Sequence, residues 1–179
     1  MSTKIETIPL DSLEYLAYID KDGSINEDMQ GKIGVYSIFD RDRQMQYVGY
    51  SRDVYLSLKQ HLIRQPQHCY WIKVQTIARP SRKVLEEIAS AWIAENGTIP
   101  VGNNLAKSAW TEPIDANPAM TEEEKAQYQQ SEESKQIKIR KKVARRVEAE
   151  ILKQLGDRGV RMDIRFNPKL KEKGLLDLK

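Results

Sequence analysis

The sequence predicts an α/β protein, with a small three-stranded antiparallel sheet flanked by helices, then a long carboxy-terminal helix and a basic tail. Three observations predict it. Residues 34–50 read as two runs of strand-forming residues around a charged turn, two amphipathic helices with a third strand between them follow, and residues 122–155 contain neither Pro nor Gly.

Residues 1–31 form a lead-in, with a short apolar stretch from Leu13 to Ile19 and then the polar run DKDGSINEDMQGK. Gly23 among Asp20 and Asp22 imitates the centre of a calcium loop. The register excludes that reading, because the first ligand would be Tyr18 and the bidentate twelfth would be Met29. A surface turn remains. GVYSIF and QMQYVGY, β-branched and aromatic, then pair across DRDR as a hairpin. Ser51 is placed to cap a helix that has Asp53 in its first turn, buries Val54, Leu58 and Leu62 at spacing four, and ends near Arg64 before Pro66. CYWIKVQTI supplies the third strand. Pro80-Ser81 opens a second helix with Leu85, Ile88 and Trp92 facing inward, and Asn96-Gly97 closes it. The order β-β-α-β-α gives one domain over residues 32–104.

Residues 105–121, with two prolines in TEPIDANPAM, read as a linker. Thr121 and Glu124 form a capping box for a helix that would run roughly 50 Å at 1.5 Å per residue. Ile139, Val143, Val147, Ile151 and Leu155 give it an apolar stripe, and Gly156 stops it. RMDIRFNPKLKEKG follows as a basic tail, so residues 122–179 form the last region.

Composition narrows the function. With 40% hydrophobic and 31% charged residues the chain reads as soluble, no run approaches the roughly 18 apolar residues of a membrane span, and the amino terminus lacks a signal pattern. A cytoplasmic setting is expected. The single cysteine, Cys69, cannot make an internal disulfide, and no CxxC or HExxH pattern offers a metal cage. The net charge of +3 hides an asymmetry: 12 Lys/Arg face 13 Asp/Glu in residues 1–104, against 17 and 13 in residues 105–179. Within residues 135–146 seven bases stand without an acid. Such a run is either a solvated helix face or a surface for polyanions, and in the second case Lys138, Arg140, Lys141, Lys142, Arg145 and Arg146 are the candidate nucleic-acid contacts.

Gly34-Val35-Tyr36 and Tyr47-Val48-Gly49 stand on the paired strands with ten residues between the two tyrosines. With the helix carrying His61, the third strand, and Pro100-Val101-Gly102-Asn103 after the second helix, the domain resembles the GIY-YIG nuclease family. That family includes homing endonucleases, some restriction enzymes and the incision subunit of bacterial excision repair. The resemblance implies that Gly34, Gly49 and Asn103 are motif positions, that Tyr36 and Tyr47 are the two active-site tyrosines, and that His61 occupies a histidine position common in the family. His61 reads equally well as a half-buried helix histidine.

Two departures shape the functional expectation. Where the resemblance implies a catalytic arginine the chain has Ser57, whose hydroxyl cannot supply a guanidinium's charged fork. Where it implies a metal-binding glutamate the chain has Ala89, with Glu86 and Glu87 about a turn earlier and Glu86 the fallback ligand for Mg2+ or Mn2+. The sequence therefore predicts a protein that binds DNA or RNA with weak or no cleavage. The alternatives are an active metal-dependent endonuclease borrowing a cation from Arg52 or Arg64, and a non-catalytic assembly or scaffold subunit docking a protein through the long helix.

Overall fold

Strands β2 (Ile33–Phe39) and β3 (Met45–Ser51) make the expected hairpin in the computed structural model, which describes residues 4–179. Its turn is built by Asp40, whose Oδ1 accepts the N–H groups of Asp42 and Gln44, each at 2.9 Å. Strand β4 (Trp71–Ile77) pairs with the other edge of β2, and the two-residue strand β1 (Leu16–Ala17) pairs with β4. The sheet therefore has four antiparallel strands in the order β1-β4-β2-β3, not three. A two-residue strand carries no alternation for a sequence pattern to reveal. Tyr18 holds it in place, through its N–H to the Tyr70 carbonyl at 2.9 Å and its hydroxyl to the Leu58 carbonyl.

Alternation along the strands sends side chains to two faces. One face carries Val35, Val48 and Ile77, which pack with Leu85, Ile88 and Trp92 of helix α2 (Arg82–Asn96) and with Leu10. Ser81 caps α2 by accepting the Val84 N–H at 3.3 Å, and Gly97, at φ 86°, ends it. The other face receives helix α1 (Val54–Arg64), which buries Val54, Leu58, His61, Leu62 and Ile63. Its cap is Asp53, which accepts the Leu56 N–H, whereas Ser51 ends β3 and donates to the Asp53 carbonyl. Helix α3 (Lys107–Thr111) brings the buried Trp110 into this first unit, Met1–Thr111. Part of the expected linker is thus structured.

The second unit, Glu112–Lys179, contains helices α4 (Glu122–Gln130), α5 (Glu133–Asp157) and α6 (Pro168–Lys171) and a small pair of strands, β5 (Ile114–Asp115) and β6 (Leu175–Leu176). The single long helix is replaced by two. Ser131 and Glu132 are extended, the Ser131 hydroxyl turns back to the Gln127 carbonyl at 2.5 Å, and the Gln136 side chain donates to the Tyr128 carbonyl at 2.9 Å. Those side chains satisfy the open end of α4, so the break needs neither Pro nor Gly. The capping box of Thr121 and Glu124 is present. The tail is ordered too: β6 pairs with β5, and Phe166 bridges Leu178. Among the described residues no helix is long and apolar enough to cross a membrane.

Candidate acid-base site

Hairpin register puts Tyr36 directly opposite Gly49. A Cβ at position 49 would stand 2.5 Å from Tyr47 Cε1 and 2.8 Å from the Tyr36 hydroxyl, so only glycine leaves room for both rings. Gly34 serves a different approach, its missing Cβ lying 2.6 Å from the Gln75 carbonyl on the neighbouring strand. The two glycines fix how the tyrosines meet α1.

Tyr36 and His61 are both buried, and the Tyr36 hydroxyl lies 2.8 Å from His61 Nε2. The Tyr47 ring is 6.1 Å from that of Tyr36 and 4.6 Å from the imidazole, and it stacks on Trp110 at 5.5 Å with an interplanar angle of 4°. Ser57 donates to Ser51 Oγ at 2.7 Å, and its hydroxyl also acts on Tyr36, whose pKa it lowers. All four expected residues, Tyr36, Tyr47, Ser57 and His61, therefore share one cluster on the α1 face. Sequence reasoning missed Trp110, and the available signal was a tryptophan in a stretch otherwise short of apolar residues.

Burial dominates the electrostatics. It pushes the Tyr36 hydroxyl well above the ordinary tyrosine range, reinforced by Tyr47 and opposed by the Ser57 hydrogen bond and the Arg64 charge. Tyr47 is raised for the same first reason, with Arg64 opposing. His61 is lowered to about 3, by burial first and then by Arg64, against a small contrary effect of the Trp110 backbone. A neutral imidazole thus faces a neutral phenol. Arg64, which donates to the Trp110 carbonyl at 3.2 Å, is the cation whose field reaches all three groups.

The remaining candidates lie elsewhere. Asn103 pairs with the outer edge of β3, accepting the Val48 N–H at 2.8 Å and donating to the Val48 carbonyl at 2.7 Å. It takes the place of a neighbouring strand's main chain. Glu86 is exposed, and one of its oxygens accepts from Arg82 Nε at 2.8 Å and from the Tyr50 hydroxyl at 3.1 Å. Arg82 and Tyr50 lower its pKa. Ala89 packs against the core and Glu87 is exposed. Among the described residues no three His, Cys, Asp or Glu side chains converge on a possible metal position. A lone carboxylate already neutralised by a guanidinium does not fit Mg2+ or Mn2+. The Asp20 turn likewise spends its carboxylate on the N–H groups of Asp22 and Ser24, at 2.9 and 3.1 Å.

Three of the six candidate bases of α5 are engaged within their own unit. Arg146 binds both oxygens of Glu124 at 2.7 and 3.2 Å and the Ala119 carbonyl at 2.8 Å. Lys141 pairs with Glu172 at 3.6 Å, and Arg140 lies over the Tyr128 ring at 5.0 Å. Lys138, Lys142 and Arg145 are exposed. The apolar stripe is used as well, since α5 buries Val143, Ala144, Ile151 and Leu155 and contacts α4, α6 and β6.

No family model matches the chain. A similar protein is the bifunctional monothiol glutaredoxin-S16, chloroplastic, of Arabidopsis thaliana, 32% identical over 81 residues, which cover 43% of this chain and 28% of that protein. The chain thus spans well under a third of this relative's length, and a partial match of that kind assigns neither of its functions here. These findings correct the expected membership of the GIY-YIG family, because the relative is named as a glutaredoxin and not as a nuclease. The expectation of a DNA- or RNA-binding protein with a nuclease-like activity is withdrawn with it. The endonuclease and scaffold alternatives gain no support either: Arg64 donates to the Trp110 carbonyl, and α5 buries Val143, Ile151 and Leu155 of its apolar stripe. The relative's chloroplastic name leaves the expected cytoplasmic setting without support.

Proposed function

We propose that the first unit carries an acid-base site for a ligand bearing an anionic group, with Tyr36 as the group that transfers the proton and His61 as its acceptor. The buried 2.8 Å contact between the Tyr36 hydroxyl and His61 Nε2 carries this reading. In the step proposed the two serine hydroxyls rotate, so that a ligand hydroxyl gives its proton to Ser51 Oγ, Ser51 gives one to Ser57 Oγ, Ser57 gives one to Tyr36 Oη, and Tyr36 gives its own to Nε2. The ligand becomes an oxyanion and His61 an imidazolium, so charge is conserved. Burial and Arg64 both oppose an imidazolium at this position. Only a ligand that brings negative charge offsets that opposition, which selects an anionic class. A surface pocket of about 400 Å³ lined by Tyr50, Ser51, Arg52, Ser81 and Arg82 begins at the Ser51 end of the hydroxyl chain and suits such a group.

Thiol chemistry, which the relative's name describes for that protein, draws no support from the residues of this chain. Cys69 is fully buried, and its Sγ lies 3.6 Å from the His61 carbonyl. Native Cys69 reacting with an aromatic disulfide reagent as fast as a free thiol would restore that reading.

The test follows the His61 imidazole by NMR in the full chain, with inorganic phosphate and acetate as separate probes. Phosphate should raise the imidazole pKa by about one unit or more, and Tyr36→Phe should abolish the shift. The acetate arm tells whether any carboxylate suffices. If neither anion moves His61, the proposal fails.

A further inference from the structure

A segment, residues 6–11, extended as far as Pro9 and then turning into a short 3-10 helix at Leu10–Ser12, lies against the sheet face that also carries α2, and it is held chiefly through its main chain. The Ile8 N–H donates to Gln75 Oε1, Gln75 Nε2 to the Glu6 carbonyl, Trp92 Nε1 to the Ile8 carbonyl and Lys73 Nζ to the Leu10 carbonyl, each at 2.8 Å. The Glu95 carboxylate accepts the Leu10 and Asp11 N–H groups at 3.1 and 3.2 Å. Four side chains from β4 and α2 thus read six main-chain groups. Of the segment's own side chains Leu10 is buried, and Ile8 is 41% exposed.

Lys73 and Gln75 are buried at positions where a sheet face would ordinarily be apolar. Burying an amine and an amide is unfavourable unless partners satisfy them, and for both the partners are the segment's backbone atoms. Lys73 Nζ also sits 4.1 Å over the Tyr15 ring. Such residues are poor choices for a fixed core contact and good ones for receiving a peptide main chain.

We propose that Lys73, Gln75, Trp92 and Glu95 form a receptor for a peptide main chain that runs extended and then turns, that residues 6–11 fill it, and that the same segment of a second copy of this chain can take their place. Main-chain hydrogen bonds are the same whichever molecule supplies them. Selectivity for this segment comes from Leu10, which fills the apolar end, and from Ile8-Pro9, since a residue before proline is held extended.

The test adds a synthetic peptide of residues 4–13, spin-labelled at its amino end, to the isotope-labelled full chain. Saturable broadening of the Trp92 indole N–H and the Gln75 side-chain amide is expected, with the His61 imidazole unaffected. Ile8→Pro in the full chain removes a donor from the resident segment alone and should tighten apparent peptide binding about fivefold, the factor expected for one hydrogen bond. The same change in the peptide should weaken it by a similar factor. No broadening at peptide excess in either protein, or an Ile8→Pro peptide that binds as well as the natural sequence, overturns the proposal.

Discussion

The Tyr36 hydroxyl and His61 Nε2, 2.8 Å apart and buried, belong to residues 25 positions apart in the chain. With the phenol as donor, Nε2 accepts and the imidazole proton resides on Nδ1. Neutrality of both groups in the folded state is the feature from which the first prediction derives.

His61 should make stability fall as solutions are acidified below neutrality. Its folded pKa, about 3, lies below the unfolded value, so the unfolded chain binds the proton first. The contribution is fully present above about pH 6.5 and is lost as pH falls toward 3, at up to about 1.4 kcal/mol per pH unit. Urea midpoints between pH 6.5 and 4.5 should decline in the natural protein and decline less in His61→Gln.

Gly49→Ala should dislocate the pair without touching either member. The added methyl would overlap Tyr47 Cε1 and the Tyr36 hydroxyl. A loss of about 1–3 kcal/mol is expected from overpacking. Displacing Tyr36 also lets water reach the imidazole, so the His61 titration should move up from about 3. An unchanged titration would show that the ring positions do not depend on this glycine.

Asn103→Ala should expose the outer edge of β3. The amide satisfies both main-chain groups of Val48, and leaving them unpaired costs about 1–3 kcal/mol. Hydrogen exchange at the Val48 amide should speed up accordingly. Asn103→Asp keeps the acceptor for the Val48 N–H and should protect that amide better than alanine does.

Arg146→Gln should weaken the second unit. The guanidinium joins Glu124 to the Ala119 carbonyl, and charge-assisted hydrogen bonds of this kind contribute about 1.5–3 kcal/mol. Arg146 and then the Thr121 backbone hold the Glu124 carboxyl down at about 2. A depressed carboxyl stabilises above its unfolded pKa and loses that contribution as pH falls through the folded one, so the gap between natural and variant proteins should narrow as pH falls toward about 2, leaving the part due to the Ala119 carbonyl. In the variant the Glu124 titration should return toward the ordinary glutamate range.

The sequence by itself determined the elements whose patterns are local: the β2-β3 hairpin, the inward faces of α1 and α2, the Thr121 capping box and the glycine end of α2. Each depends on residues within a few positions of one another, where periodicity and capping chemistry act directly. It also brought Tyr36, Tyr47, Ser57 and His61 under suspicion as one group. Tertiary structure decided what those residues experience. The depression of His61 comes from burial and Arg64, Trp110 stacks on Tyr47 from a segment read as linker, and β1 exists because β4 offers an edge to pair with. Arg146 looked like a free charge until α4 supplied Glu124, and Lys73 and Gln75 had no visible reason to be buried until residues 6–11 lay across them. Desolvation and long-range partner choice depend on which surfaces meet, and a linear pattern records only which surfaces exist.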